Sequence, residues 1–147
     1  MDWSPRLTVA TIVEREGRFL LVEEYADGAE LVYNQPAGHL DEHETLAAAA
    51  IRETLEETAW EIQIDAVVGV YYWTHPKGDT FIRTCFAGTA LRHHPDQALD
   101  RGIQRVLWLT RAEIAALESR LRSPMVLRCL DDYRAGKRLP LDIFSYL

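Results

Sequence analysis

The chain has 147 residues, 48% of them apolar and 27% charged, which suits one globular domain of about 150 residues with a buried core. Apolar runs such as residues 66–73 fall far short of the roughly 18 residues that a membrane-spanning helix needs. The first residues have neither the basic nor the apolar region of a secretory signal. A net charge of −7 argues against a nucleic-acid partner, because phosphate backbones are bound by basic surfaces.

The two cysteines, Cys85 and Cys129, are far apart in the sequence and fit neither a metal-ligand spacing nor a disulfide framework. We expect both to be reduced thiols buried in the core, since free cysteine is among the most buried residue types. The sequence therefore predicts a single domain over residues 1–147, in the cytoplasm and without a membrane partner.

Apolar runs separated by turn residues predict the elements of the first half of the chain. In chain order these are strands over residues 7–14, 18–25 and 31–33 and a helix over residues 45–58. Arg15-Glu16-Gly17 is a turn that makes the first two strands a hairpin, whereas Pro36 and Gly38 indicate a loop. The helix is rich in Ala, Leu and Glu and lacks Gly and Pro, so it is the strongest helix signal in the chain.

The second half of the chain continues the mixture of strands and helices. In chain order the predicted elements are strands over residues 61–74, 80–91 and 104–109 and helices over residues 110–119 and 123–136. Gly69 interrupts the first of these strands and indicates a bulge, and Thr110 and Glu113 have the spacing of a capping box. Without regular βαβ alternation, this order predicts an α+β (α/β) fold with a mixed sheet and helices on its faces.

Acidic residues concentrate around the first predicted helix, where residues 38–61 hold seven acids and one base. Glu53, Glu56 and Glu57 fall in its last turn, where the helix dipole disfavours each anion by about 0.3–1 kcal/mol. Such a cluster is also common on solvated helix surfaces. A hard divalent cation would relieve the repulsion, because it prefers carboxylate and carbonyl oxygens. Mg²⁺ is expected, with Mn²⁺ as an alternative, because it is held by few carboxylates together with phosphate oxygens of a substrate.

The glutamates belong to a longer pattern, G-x5-E-x7-R-E-x2-E-E, which starts at Gly38 within residues 38–60. Its six fixed positions are expected by chance in about one of 10⁵ chains of this length. The pattern resembles the signature of the Nudix hydrolases. Flanking segments over nearly the whole chain resemble the NudJ-type phosphatases of that family; they include LTVATIVEREGRFLLVEE, YNQPAGHLDEHETL and LRSPMV. The resemblance implies a Nudix-type α/β/α sandwich with a loop-helix-loop catalytic segment, the Nudix box, at residues 38–60.

The resemblance also implies the ligands of the metal ion. The carboxylates of Glu53, Glu56 and Glu57 and the carbonyl of Gly38 would bind it, and Gly38 lets the backbone come close because it lacks a Cβ. Arg52 would orient the carboxylates by ion pairing. Glu53 is the predicted general base that takes a proton from the attacking water.

Glu44 would steady the loop-helix-loop and is counted with the catalytic group. Candidate substrate contacts come from other parts of the chain, and each also has an ordinary structural interpretation; they are Arg83, Gln35, Trp73 and Arg122. Arg83 and Arg122 would bind phosphate, Gln35 and its neighbour Asn34 would hydrogen-bond the substrate or shape their loop, and Trp73 would stack on a ring. Tyr33 and Tyr72 are further stacking candidates.

The chain departs from the family pattern at several positions. Ala59 replaces a glycine at the expected helix end, Thr54 replaces an apolar residue, and Trp60 is larger than the usual aliphatic. Many relatives carry an acid at the position of Gly102, and Asp100 is the nearest acid in this chain. The sequence therefore leaves the downstream metal ligand or base unidentified.

These inferences predict Mg²⁺-dependent hydrolysis of a phosphoanhydride bond in a small organic diphosphate or nucleotide. The resemblance names thiamine pyrophosphate, hydroxymethylpyrimidine pyrophosphate and nucleoside di- and triphosphates. Two alternatives stay open, a housecleaning nucleoside triphosphate pyrophosphatase and a non-catalytic nucleotide-binding Nudix module. The sequence does not distinguish a monomer from a homodimer.

Overall fold

The computed structural model describes residues 2–26 and 28–147. Its strands are β1 (Arg6–Arg15), β2 (Arg18–Tyr25), β3 (Leu31–Asn34), β4 (Ala37–His39), β5 (Trp60–Thr74), β6 (Thr80–His93) and β7 (Ile103–Leu109). Its helices are α1 (Leu46–Thr58), α2 (Arg111–Ala115) and α3 (Met125–Arg134), with 3₁₀ turns at Glu118–Arg120 and Leu141–Ile143. Within the described residues, no helix has the length and apolar character to cross a membrane.

The strands form a mixed sheet in the order β3-β2-β1-β6-β5. β1 pairs in parallel with β6, while the β1–β2, β2–β3 and β5–β6 pairs are antiparallel. β4 pairs with β1, and β7 pairs with β2. The predicted mixed sheet is thus confirmed. The β5–β6 register shifts between Val67 and Gly69, where a bulge was predicted.

Helices cover both faces of the sheet. Neighbouring strand residues point to opposite faces, and Phe86 packs in the cluster with Ala49 and Ala50 of α1, whereas Cys85 packs with Cys129 of α3. The two helices therefore lie on opposite sides, which makes the predicted three-layer α/β/α sandwich. Both cysteines are free and buried, as expected.

Two predictions of local structure were wrong. The expected loop at Pro36 and Gly38 contains the short strand β4, because β1 supplies a ladder for residues 37–39. The helix expected over residues 110–119 ends at Ala115, although the capping box of Thr110 and Glu113 is present. These elements are short, so pairing and packing decide them more than local propensity does.

Ala59 ends α1 in the left-handed conformation, with φ +61° and ψ +17°. Its N–H donates to the Leu55 carbonyl at 2.9 Å, which is the usual pattern of a helix C-terminus closed by glycine. A side chain in this conformation costs about 1–2 kcal/mol. The departure from the family glycine therefore carries local strain at the end of the acidic helix.

Replacing Ala59 with glycine should relieve that strain. Ala59→Gly and the control Ala49→Gly, inside the first half of α1, both delete a buried methyl and both increase the conformational freedom of the unfolded chain. We expect Ala59→Gly to be the more stable of the two by about 1–2 kcal/mol in urea unfolding. Equal losses at the two positions would contradict a strained helix end.

Candidate active site

The C-terminal end of α1 is tied to the loop between β6 and β7. The Asp100 N–H donates to the Glu56 carbonyl at 2.9 Å, and Gln97 Nε2 donates to the Leu55 carbonyl at 2.7 Å. The Glu56 carbonyl is one of the last carbonyls of the helix, which lack partners within it, so the loop supplies its donor. The Leu55 carbonyl, which already accepts from Ala59, gains a second donor. These bonds bring Asp100 to the helix end that carries the glutamates.

Three carboxylates meet at this end of the helix. Oxygens of Glu53, Glu56 and Asp100 all lie within 4.8 Å of one another. Three like charges at this spacing repel strongly unless protons or cations compensate them. Asp100, the acid whose role the sequence left open, is thus placed beside two of the predicted ligands; the signal that locates it is its backbone bond to α1, which no local pattern reveals.

Arg52 supplies the positive charge among these acids. Its Nε and Nη2 donate to Glu44 at 2.8 and 2.9 Å, and its Nη1 donates to Glu53 Oε1 at 2.8 Å and to Glu56 Oε2 at 3.3 Å. Nη2 also donates to the His39 carbonyl at 3.1 Å. The carboxylates raise the pKa of Arg52, and the guanidinium lowers the pKa of Glu44. The structure therefore brings Arg52 and Glu44 to the acidic cluster.

Gly38 lies directly against the Glu53 side chain. A Cβ at Gly38 would overlap all three atoms of the Glu53 carboxyl group. The glycine is thus needed for space rather than for an unusual backbone angle. Because Gly38 has no side chain, Glu53 can lie directly against strand β4. Both residues line the same cavity.

Glu57 is the most deeply buried of the predicted carboxylate ligands. Its Oε1 accepts a hydrogen bond from the Ala37 N–H at 2.9 Å. Burial, reinforced by the charges of Glu24, Glu53 and Asp100, raises the pKa of Glu57 to about 9. Burial also raises the pKa of Glu53, against the opposing effect of Arg52. In both cases burial disfavours the charged form of the carboxyl group, and neighbouring carboxylates add to this effect.

A cavity of about 540 Å³ adjoins the cluster. Gly38, Glu53 and Glu57 line it, whereas Glu56 and Asp100 do not. Glu53 therefore belongs to both the acidic group and the cavity wall. The remainder of the wall combines cationic, aromatic and apolar side chains, among them Arg83, Arg122, Lys77, Trp73, Phe81 and Met125.

Arg83 is a buried cation on this wall, with 4% of its surface exposed. Its Nη1 and Nη2 donate to Gln35 Oε1 at 2.9 Å and Asn34 Oδ1 at 3.0 Å, and its buried Nε–H has no partner in the part of the chain that the structure describes. Among residues 2–26 and 28–147, no carboxylate forms an ion pair with it. A buried guanidinium without a counter-ion favours an anionic ligand.

Two other predicted substrate contacts also line the cavity. The Arg122 side chain pairs with Glu24 at 3.2 Å, and its backbone N–H donates to the Tyr33 carbonyl at 2.8 Å. Trp73 stacks on Phe81 with ring centroids 5.8 Å apart and an angle of 25° between the ring planes. The two rings form an apolar wall that a planar group could contact.

Three predicted contacts lie elsewhere. Gln35 does not line the cavity but sits behind Arg83, bonded to it and to the Val126 carbonyl. Tyr33 is buried and donates its hydroxyl to Glu23, so its ring is not free to stack on a ligand. Tyr72 is 68% exposed and faces away from this cavity.

Comparison with known proteins identifies the family of the chain. Residues 4–128 match the sequence model of the NUDIX domain family. The chain therefore belongs to the Nudix family and is a Nudix hydrolase.

Within the family the chain is similar to the phosphatase NudJ. NudJ of Escherichia coli strain K12 is 40% identical over 143 residues, which cover 97% of this chain and 92% of NudJ, and NudJ of Shigella flexneri gives the same values. A solved NUDIX hydrolase from Nitrosomonas europaea is 42% identical, covers 98% of both chains and superposes with a TM-score of 0.96.

Adding a methyl at Gly38 should disrupt the acidic group. Gly38→Ala forces the Glu53 carboxylate to move, so we expect Mg²⁺ affinity in titration calorimetry to fall by about ten-fold or more. Gly17→Ala is the matched control, because it adds a methyl in open space at a turn where φ is +77°. It should lower the melting temperature and leave Mg²⁺ binding intact. Unchanged Mg²⁺ affinity in Gly38→Ala would contradict the assignment.

The raised pKa of Glu57 predicts how stability depends on pH. Between the ordinary carboxyl pKa of 4.5 and about 9, the folded protein keeps a proton on Glu57 that the unfolded chain loses. Folded protein then binds more protons, so its free energy of unfolding falls as pH rises through this range. Urea unfolding in EDTA at pH 5.5, 7 and 8.5 should show a shallower fall for Glu57→Gln than for wild type. Parallel pH dependences in the two proteins would contradict the shift.

Proposed function

We propose that this Nudix hydrolase catalyses Mg²⁺-dependent hydrolysis of a phosphoanhydride bond in a small organic diphosphate or nucleotide. The observation that carries the proposal is a cavity with carboxylates on one part of its wall and an uncompensated buried arginine on another. A ligand with several phosphate oxygens would satisfy both parts at once. The volume of about 540 Å³ suits a small molecule.

The donor set near α1 fits a hard divalent cation. Glu53, Glu56 and Asp100 would hold it, with Glu57 and the Gly38 carbonyl as the further ligands that the family pattern implies. All these donors are oxygens, which suits Mg²⁺ and also Mn²⁺. When bound, the cation supplies charge neutralisation for the phosphate oxygens.

Glu53 is proposed as the general base. It is a member of the acidic group that lines the cavity, and Arg52 occupies its Oε1, which leaves Oε2 to accept a proton from water. Arg52 restrains the carboxylate, and Glu44 in turn restrains two nitrogens of Arg52. These two residues are proposed to position the base rather than to contact substrate.

Arg83 and Arg122 are proposed to bind phosphate oxygens, and Trp73 to contact the organic group. Arg83 lines the cavity and pairs with no carboxylate of the described residues, while Arg122 would exchange its contact with Glu24 for the substrate. Gln35 supports the site through Arg83, since its position behind that residue argues against direct contact with substrate. The candidate substrates remain thiamine pyrophosphate, hydroxymethylpyrimidine pyrophosphate and nucleotides, in line with the likeness to phosphatase NudJ.

We also propose one domain over residues 1–147. The support is that the segment after α3 returns to the sheet, where Leu139 exchanges two backbone hydrogen bonds with Val67 and Phe144 packs near Phe86. A reducing compartment such as the cytoplasm is proposed because Cys85 and Cys129 are free thiols in the core. The oligomeric state is proposed to be a monomer or a homodimer.

The proposed base predicts the effect of removing one carboxylate. Glu53→Gln keeps an oxygen for Arg52 but is a far weaker base, so we expect turnover of thiamine pyrophosphate to fall by at least about 100-fold in a phosphate-release assay with Mg²⁺. The circular dichroism spectrum should not change. Whether the product is phosphate or pyrophosphate shows which phosphorus–oxygen bond is broken.

The matched control is Glu61→Gln, which makes the same chemical change just beyond α1. Glu61 contacts His94 at the surface and does not line the cavity, so this variant should keep the wild-type rate. A wild-type rate in Glu53→Gln would reject Glu53 as the base. Wild-type protein that hydrolyses none of the proposed diphosphates in the presence of Mg²⁺ would reject the proposed function.

A further inference from the structure

Arg83 fixes the orientation of two neighbouring amide side chains. A guanidinium has only donors, so the atoms of Asn34 and Gln35 that face it must be their oxygens. The distances of 3.0 and 2.9 Å agree with this assignment. In consequence, the NH₂ groups of both amides must point away from Arg83.

The two NH₂ groups meet different surroundings. Gln35 Nε2 donates to the Val126 carbonyl of α3 at 2.7 Å, and Gln35 is outside the cavity wall. Asn34, by contrast, lines the cavity, although only 7% of its surface is exposed. Its Nδ2 donates to no acceptor among the described residues. Asn34 Nδ2 is not among the side-chain atoms that are both buried and unpaired, so it is reachable from the cavity.

The register of the strands places the aromatic wall beside Arg83. Phe81 and Arg83 are two residues apart on β6 and therefore point to the same face, roughly 7 Å apart. Trp73 pairs with Phe81 across the β5–β6 ladder. A ring lying on Trp73 and Phe81 would thus have its edge near the donors that Arg83 and Asn34 provide.

We propose that Asn34 is a specificity-determining residue, whose NH₂ group donates a hydrogen bond to an acceptor atom of the substrate. The inference rests on the proposed function and deepens it. Because Arg83 holds the Asn34 oxygen, the amide cannot turn over, and the site offers a donor and no acceptor at this point. Substrates with a ring nitrogen, a carbonyl oxygen or a phosphate oxygen here are selected, and groups with only donors are rejected.

The test compares Asn34→Asp with Gln35→Glu. Both variants place one carboxylate on Arg83 and keep the oxygen that it contacts, so both carry the same change of charge. Only Asn34→Asp removes a donor from the cavity. We expect Asn34→Asp to raise KM for thiamine pyrophosphate and uridine diphosphate by at least about ten-fold more than Gln35→Glu does, with a smaller change in kcat. Thermal unfolding checks that both variants are folded.

Isopentenyl diphosphate, whose organic group has no acceptor, identifies the atom that Asn34 contacts. Equal KM values of the two variants for this compound assign the contact to a ring acceptor. An excess for Asn34→Asp with all three compounds that Asn34→Ala, which adds no charge, reproduces assigns it to a phosphate oxygen, and both assignments support the donor. An excess that Asn34→Ala does not reproduce is repulsion by the new carboxylate and counts against the donor. Equal KM values of the variants with every compound would overturn the inference while leaving the proposed function standing.

A separate measurement keeps the inference testable if the proposed function fails. Should wild-type protein turn over none of the three compounds, calorimetric titration with uridine diphosphate compares the same variants by affinity. Weaker binding by Asn34→Asp than by Gln35→Glu supports the donor. Equal binding, or no binding by wild-type protein, overturns it.

Discussion

The site depends on one ion-pair network at the end of α1. A single guanidinium, that of Arg52, contacts Glu44, Glu53 and Glu56, and it also donates to the carbonyl of His39, the last residue of strand β4. The network connects the loop before the helix, the helix itself and the strand that lines the cavity. Without the cation, the like charges of these side chains would repel one another and separate. The position of Arg52 therefore determines how the three carboxylates are arranged.

The network does not reach every acid of the site, and the fold holds one of them in the cavity wall. Glu57 lies beyond the reach of Arg52 and meets only the Ala37 N–H, so burial favours its protonated form. On another part of the wall, Arg83 is buried among neutral amides. One cavity wall thus carries an acid that burial keeps protonated and a buried cation whose partners are neutral amides. A ligand that carries both cation and phosphate brings the missing partners for each.

The sequence predicted the parts of the structure that depend on nearby residues. The helix over residues 45–58, the β1–β2 hairpin and the capping box at Thr110 follow from local propensity and turn chemistry, and the spacing from Gly38 to Glu57 carries the family pattern. The sequence did not place Asp100, because a backbone bond to a helix more than 40 residues earlier brings it there. The separate roles of Asn34 and Gln35 depend on Arg83, which lies on another strand. Such contacts between distant segments have no local signature.

The pairing of Leu139 with Val67 has a consequence for the sheet as a whole. β5 is its outermost strand, and the outward N–H and C=O groups of such a strand are a template for other chains. The two backbone bonds between these residues, at 2.9 and 2.7 Å, occupy part of that border. Val70 and Tyr72, which follow on β5, are exposed. The segment after α3 thus protects β5 against edge-to-edge aggregation, and its loss would expose the backbone of an unpaired edge strand.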